Sequence, residues 1–591
     1  MPEYDILIKN GSIVDGTGDA AYEGAVAVKG DRIVSVLSGK DASCDAATVI
    51  DALGLSVTPG FIDVHNHGDL SILYYPEADG FVRQGITTFV ASNCGTSPGP
   101  YGEYIGQPLP STGTWFQYDI YSELEPYTFY PEVLIKRDVF NERHEGIYGW
   151  VIDWHTMGGF FKRVEKEGLS PNYVPLVGHS SIRTIVMGPD SKRKATRPEI
   201  EAMTAQVRRA MEDGCRGLSV GRDYEPAVYA DLEELIACAK AASDYGGIYA
   251  CHCLTTGLRK ARGRGETCQS RAQRATLGRL EAIEIGRRCN IPVQISHMWW
   301  SCGSDAKTED EARECLELID GARLEGVDVS FDVCPPRPGL FTTPWLMGLL
   351  LPWLKISGSP ESFAKAIEMR DFREEIKSTV LSGKWYRLNP NITPDWAALL
   401  RIVGCKDERF INKTLSQAAE SLEMEHLDAL LEVLAADPYT KVEYESASNS
   451  CKLMFYSHPE AMIGVDTFAL DDKWECRYPP WYLPNENSYG GFPHYFRYVV
   501  RETKTLSFEE AIRKVTSLPA KKFKLKDRGV LRSGAYADIV IIDVDRVSEK
   551  GNQLTPRRYP VGIDYVIING VPVVSNNRHT GERPGKILYR E

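Results

Sequence analysis

From Tyr4 to about Val57 the chain consists of short apolar runs separated by tight turns: Ile6-Leu7-Ile8, then Asn10-Gly11, Ser12-Ile13-Val14, Val26-Ala27-Val28 and Gly30-Asp31. Short runs broken by such pairs predict strands and hairpins. The far end repeats the idea in Asp538-Ile539-Val540-Ile541-Ile542 and in Tyr565-Val566-Ile567-Ile568, followed by Asn569-Gly570 and Val571-Pro572-Val573-Val574. Neither end has enough apolar faces to stand alone. The two are therefore expected to pack into one small β-sandwich, residues 1–58 with 525–591, with the rest of the chain inserted between its halves.

Residues 59–524 alternate strand-like apolar runs with stretches of helical period, the pattern of β/α repeats. Strand candidates end at His67, Cys94 (from Ile86), His179 (from Val174) and Val220 (from Arg216). Four more end at Cys253 (from Gly247), His297 (from Ile291), Val333 (from Val327) and Asp466 (from Met462). Eight strands make a (β/α)8 TIM barrel the economical α/β fold. Leu232, Leu235, Ile236 and Ala239 fall at helical spacing, and helices also fit Pro198 to Asp213, Gln269 to Cys289, Glu309 to Glu325 and Ser507 to Thr516. Two segments exceed what a plain barrel needs. The first, about 101–148, is rich in Tyr, Phe and Pro; as a loop after the second strand it belongs over the C-terminal mouth, as a lid, an oligomer arm or plain packing. The second, about 340–456, separates strands seven and eight and contains helical pieces such as Ser416 to Ala436.

The strand ends carry the chemistry. In Gly60-Phe61-Ile62-Asp63-Val64-His65-Asn66-His67 the two imidazoles stand two apart, so on a strand they share one face and can reach one metal ion. His252 and His297 close strands five and six, Cys94 closes strand two, and Asp466 closes strand eight. Parallel barrel strands all open their C-terminal ends on one face, so these six groups converge. Zinc takes such an N and S set readily. Singly, each has a simpler structural reading: a buried thiol, a loop-capping carboxylate, a hydrogen-bonded core histidine. Jointly they point to a metal.

Composition narrows the partners. A net charge of −13 gives no general attraction to nucleic acid or to an anionic membrane. No stretch is long and apolar enough to span a bilayer, the N-terminus lacks the features of a signal peptide, and the 14 cysteines form no regular framework. A cytoplasmic protein with reduced thiols and a small-molecule substrate is expected, and a homo-oligomer is compatible with the sequence.

The motifs Pro59-Gly60-Phe61-Ile62-Asp63-Val64-His65-Asn66-His67, Ser92-Asn93-Cys94-Gly95, Val177-Gly178-His179, Gly217-Leu218-Ser219, Gln294-Ile295-Ser296-His297 and Met462-Ile463-Gly464-Val465-Asp466 resemble those of the amidohydrolase superfamily, and within it the D-aminoacylase (N-acyl-D-amino-acid deacylase) family. Tyr489-Gly490-Gly491-Phe492-Pro493 and Tyr498-Val499-Val500-Arg501-Glu502 fit the family's segment before the last helix. The resemblance covers nearly the whole chain apart from the two insertions. It implies a tighter zinc on Cys94, His252 and His297 and a second, weaker site on His65, His67 and Cys94. Many superfamily members bridge two metals with a modified lysine at strand four; Gly217-Leu218-Ser219-Val220 has none, which agrees with the subgroup whose strand-two cysteine takes that place. Asp466 is implied as catalytic base, serving attack by metal-bound hydroxide on an amide carbonyl.

Substrate contacts depart from the family. Where the family has a lysine two residues past the strand-six histidine, this chain has Trp299, and where it has Tyr-Pro-Tyr after strand seven, this chain has Cys334-Pro335-Pro336. Arg477 is the candidate for the family's arginine, and His179 and Arg183 are candidates for orienting substrate or supporting the ligands. The basic run Arg259-Lys260-Ala261-Arg262-Gly263-Arg264 reads as a solvated loop or as a contact for an anionic substrate end. The expected activity is hydrolysis of an N-acyl amino-acid-like amide with an altered pocket. The alternatives are a cyclic amide or ureide hydrolase and a non-catalytic binding or assembly barrel.

Overall fold

The apolar runs at the two chain ends hydrogen-bond into one nine-stranded sheet. The strand Ser56–Pro59 is its seam, pairing parallel with Tyr4–Ile13 and antiparallel with Ile539–Ile542. Ile8, Val26, Val28 and Val57 from the first half share one core with Leu531, Ile539, Ile541 and Ile567 from the second. Each half supplies the apolar face that the other lacks. The structure, a computed structural model, describes residues 2–39, 45–106, 134–254, 268–298, 308–335, 341–383, 388, 390, 394–444, 449–476 and 481–591.

Between these halves run two parallel sheets. One has three strands in the order Asn172–Pro175, Ile86–Ala91, Phe61–Asp63; the other has six, in the order Val177–Gly178, Gly217–Gly221, Ile248–His252, Val293–Ile295, Val329–Val333, Ala461–Ile463. Backbone bonds join them on both sides: Arg216 N–H donates to Pro175 O at 2.8 Å, and Val64 N–H to Ile463 O at 3.4 Å. Ile86–Ala91, Gly217–Gly221, Ile248–His252 and Val329–Val333 are buried at every position, as parallel strands covered on both faces must be. Helices alternate with the strands. Arg197–Glu212 and Glu309–Leu324 each open on a capping box, Thr196 with Glu199 and Thr308 with Glu311, and Asp231 caps Leu232–Ser243 through the Glu234 N–H.

The strand ends differ from the sequence expectation in an instructive way. The first strand stops at Asp63, so His65 and His67 lie on the bend beyond it and not on a strand. The cause is Asp63 itself, whose carboxylate accepts from the His65 N–H at 3.2 Å and the Val465 N–H at 3.0 Å and turns the backbone. The third strand gives way at Gly178, and His179 opens the helix His179–Met187. The expected helix Ser416 to Ala436 is two helices, Leu415–Leu422 and His426–Ala436, separated where Glu423 adopts a left-handed φ of 54°.

Of the first insertion, Tyr104–Gly106 and Leu134–Lys136 form an antiparallel pair leading into the helix Arg137–Tyr148, and Ile105 and Phe140 are buried in the main core. The second insertion builds a core of its own from Leu346, Trp353, Phe363, Ile376, Leu430 and Leu434. No helix among the described residues is long and apolar enough to cross a membrane.

The C-terminal segment is fastened through one guanidinium. Arg216, just before its strand, donates to the carbonyls of Leu588 (2.8 Å), Phe523 (3.0 Å), Lys524 (2.9 Å) and Tyr589 (2.7 Å). Removing it leaves four carbonyls to find new donors. Arg216→Ala is expected to lower stability by about 2–4 kcal/mol, read as a shift of the urea midpoint; an unchanged midpoint would show that this fastening contributes nothing.

Candidate metal centre

The strand ends and the turns that follow them bring one thiol, four imidazoles and a carboxylate together. Cys94 Sγ lies 3.4 Å from His65 Nε2, 3.6 Å from His252 Nδ1 and 3.7 Å from His297 Nε2. His252 Nδ1 and His297 Nε2 are 2.8 Å apart. Asp466 Oδ1 stands 3.2 Å from His67 Nε2 and 3.5 Å from His65 Nε2. Two sets with metal-ligand spacing result, His65 with Cys94 and His297, and His65 with His67 and Asp466.

The backbone is bent to achieve this. Ser92, Cys94, His297 and Asp466 all take positive φ, at 67°, 53°, 36° and 49°. Left-handed backbone costs a non-glycine residue about 1–2 kcal/mol, and its concentration here is a case of strain retained to aim side chains. Asp466 is held by its N–H, which donates to His65 O at 2.8 Å. Its neighbour Gly464 has to be glycine, because a Cβ there would lie 2.3 Å from His65 Cβ.

A second layer of carboxylates surrounds the imidazoles. Asp332 Oδ1 accepts from the His297 N–H at 2.7 Å and lies 3.4 Å from His65 Nδ1, while its other oxygen accepts from Gln294 Nε2 at 3.0 Å. Asp223 Oδ2 lies 3.3 Å from His252 Nε2, and Tyr224 Oη lies 3.2 Å from His252 Nδ1. Sequence reading missed these residues. A signal existed for Asp332, an acid in the otherwise apolar run Val329-Ser330-Phe331-Asp332-Val333. Asp223 offered only its position just past a strand end.

The donor set fits a divalent cation. Zinc–sulfur and zinc–nitrogen bond lengths in tetrahedral geometry put S and N about 3.5 Å apart, and the three thiol–imidazole separations bracket that value. Among the described residues, Nδ1 of His67 is buried without a hydrogen-bond partner, and Nδ1 of His65, despite the nearby Asp332, has no partner of hydrogen-bond geometry. Charge agrees. Burial pushes the Cys94 thiol up, but the charge of His65 and hydrogen bonds from His252, His297 and His65 bring it well below its usual value. Burial also works against charge on Asp466, yet His67, His65 and His297 hold its carboxyl below the usual range. Against the same burial, Asp466 and Cys94 raise His67 to about 9, and Asp223 and Cys94 raise His252 to about 10. The anionic groups demand positive charge among them, and a divalent cation meets that demand in place of imidazolium protons.

His179 and Arg183 are placed elsewhere. His179 Nε2 lies 2.8 Å from Glu234 Oε1, Arg183 Nε donates to the same oxygen at 2.9 Å, and the remaining Arg183 nitrogens reach the carbonyls of Ser191 and Arg193. Both residues are wholly buried, and no hydrogen bond links either to the cluster. Both side chains thus converge on the buried Glu234 carboxylate. Trp299, Arg477 and the basic run 259–264 lie outside the described residues.

Comparison with known proteins agrees with this chemistry. A family model described as "Amidohydrolase family" matches residues 478–574. The chain is 29% identical over 589 residues to an N-acyl-D-aspartate deacylase of Alcaligenes xylosoxydans xylosoxydans, covering 99% of this chain and 95% of that protein. It superposes with a TM-score of 0.65 and 25% identity on the crystal structure of an N-acyl-D-glutamate deacylase from Bordetella bronchiseptica complexed with zinc and a phosphonate mimic of the tetrahedral intermediate, covering 99% of each chain. A D-aminoacylase structure described for its binuclear metal centre gives a TM-score of 0.66 and 25% identity, over 99% of this chain and 100% of that one. Over residues 478–574 the chain resembles the amidohydrolase family, and along nearly its whole length it is similar to N-acyl-D-amino-acid deacylases. It is a hydrolase of carbon–nitrogen bonds other than peptide bonds, with a divalent-metal centre.

The thiol makes this electrostatic picture measurable. Burial raises Cys215, Cys238, Cys289 and Cys334, whereas Cys94 is lowered, so among these five thiols only Cys94 favours the thiolate at pH 7. In chelator-treated protein, thiolate absorbance near ~240 nm is expected to persist at pH 7, to fade only as pH falls further, and to be absent in Cys94→Ser. Absorbance that appears only above pH 8 would contradict the electrostatics described.

Proposed function

We propose that the chain is a zinc-dependent deacylase cleaving the amide of an N-acyl amino-acid-like compound. The observation that carries the reading is the packing of three imidazole nitrogens within 3.4–3.7 Å of Cys94 Sγ, with Asp466 beside them. Cys94, His252 and His297 would hold one zinc tightly, and His65 and His67 with Cys94 a second, weaker one. The zinc-bound and binuclear relatives support this assignment. A divalent cation at this place supplies polarisation of the scissile carbonyl and a lowered pKa for the attacking water. The chain's own part is proton handling. Asp466 accepts a proton from the water as its oxygen bonds to the carbonyl carbon, and returns it to the nitrogen as the C–N bond breaks. His67, 3.2 Å from Asp466 Oδ1, keeps that carboxylate ionised and oriented. Asp223 orients the His252 ring, while Asp332 holds the His297 backbone and stands 3.4 Å from His65 Nδ1.

The two joined parallel sheets support a closed (β/α)8 barrel spanning 59–524, and the terminal sheet supports a small domain of 1–58 with 525–591. The substrate end of the pocket differs from the family pattern: Trp299 replaces a lysine and the buried Cys334 replaces a tyrosine, which removes two partners for a free α-carboxylate. A substrate whose carboxylate is masked or displaced follows. Trp299 and Arg477 remain the proposed contacts for it, in a cytoplasmic enzyme.

Three measurements test this reading. Elemental analysis of natively purified protein is expected to give one or two zinc per chain, largely lost in Cys94→Ala; no metal, even when zinc is supplied, would refute it. Asp466→Asn is expected to keep the tight zinc and lower kcat by about 10²–10⁴, and Asp332→Asn to cost about 10–100-fold in zinc affinity or activity. In a substrate panel read by mass spectrometry, two product fragments are expected, with low turnover of N-acetyl-D-methionine. A single hydrated product would mean a cyclic amide or ureide, and rapid N-acetyl-D-methionine hydrolysis would refute the altered pocket.

A further inference from the structure

At the opposite ends of the strands, where Val329–Val333 and Ala461–Ile463 begin, lies a cavity of about 670 Å³. Its wall carries Arg323, Arg513, Lys521 and Lys522 against Asp328 and Glu460, an excess of two positive charges in a chain whose net charge is −13. Glu510 and Lys514, which pair with each other at 3.7 Å behind Arg513, cancel and leave the excess unchanged. The cavity is separate from the metal cluster. Asp328 and Glu460 precede their strands, while Cys334 and Asp466 follow them, a separation of six residues in each case, or about 20 Å at 3.3 Å per residue.

The carboxylates leave much of this cationic capacity unused. Arg323 Nη2 meets Glu460 at 2.8 Å and its Nη1 donates to Val329 O at 2.8 Å. Arg513 spends Nε and Nη2 on Glu510, leaving Nη1 unengaged among the described residues. Lys522, almost wholly buried, gives two hydrogen bonds to Asp328, at 2.9 and 3.1 Å, and keeps a third N–H. Lys521 is exposed and makes no ion pair among the described residues. Burial pushes Lys522 down to about 8, so an anion arriving beside it would stabilise its charged form.

We propose that this cavity binds a small organic phosphate ester. A dianionic phosphate matches the excess of two charges at a single point, and spare N–H groups on lysine and arginine from three segments suit an anion with acceptors on several sides. The volume is too large for phosphate alone and falls in the range of small-molecule sites, roughly 300–1,000 Å³. Val327, Met462 and Leu518 supply apolar wall for the ester's organic part.

The test is calorimetric titration of the full chain with ribose 5-phosphate at fixed ionic strength, with inorganic phosphate and succinate as comparisons. One ester per chain is expected, bound more tightly than inorganic phosphate and about tenfold or more tighter than succinate. Lys521→Glu is expected to weaken it about tenfold or more while Lys521→Arg restores it, and amide hydrolysis without the ester should be unchanged in both. Absence of saturable binding, equal affinity in Lys521→Glu, or succinate binding as tightly would each overturn the proposal. Equal affinity in Lys521→Glu would place the ester elsewhere, the metal cluster included, so this outcome is distinguishable from failure of the deacylase reading.

Discussion

Asp63 is the constraint on which the metal site depends. Its carboxylate is wholly buried and accepts from the backbone of His65, from the backbone of Val465, 402 residues away, and from the Asn66 amide. The ends of the first and last strands are thereby drawn against each other, so that the His65 and His67 bend meets Asp466. Burial raises Asp63 to about 7, with its three hydrogen bonds opposing the rise, so the bonds are what favour an ionised acceptor in a dry site. Nearer the chemistry, His252 ends a strand and the other members of the cluster are held by turns. That is why four of its residues take left-handed backbone.

Those turns concentrate charge. A thiolate and the carboxylates of Asp466, Asp332 and Asp223 surround four imidazoles, all buried or nearly so. In a medium of low effective dielectric such an assembly is tolerable only if positive charge sits between its members. Imidazolium protons satisfy this crudely, as the raised values for His67 and His252 show. A divalent cation would satisfy it at one point and, in the proposed mechanism, leave Asp466 to move a proton. Metal binding and catalytic competence thus arise from one electrostatic requirement.

Much of this was legible in the sequence. All eight expected central strands have counterparts in the two parallel sheets, because fully buried parallel strands are continuous apolar runs bounded by turn residues. Arg197–Glu212 and Glu309–Leu324 fell within a residue of expectation because capping boxes mark their starts. The ligands were legible as polar residues at the ends of apolar runs. What was hidden is long-range: that Asp63 stops a strand, that Asp332 reaches both His65 and His297, and that Glu234 claims His179 and Arg183. Each depends on contacts between distant segments, and a run ending in histidine looks the same whether the histidine faces a metal or a buried glutamate.

The architecture also separates what must stay fixed from what can vary. The donors sit within a few residues of the strand ends, where close approaches such as Gly464 against His65 leave no room for a side chain. The insertion of 340–456 instead has its own core, from Leu346 to Leu434, and so can change shape or composition without loading the strands that carry the ligands. Cys334 stands at the boundary between the two, immediately after a strand and within electrostatic range of Asp466 and Asp332, yet at the start of the connection leading to the insertion. On the proposed reading, a substitution there would change what the pocket offers a substrate while the turns beside it keep their geometry. Divergence of specificity over an unchanged donor set is what this division of labour would permit.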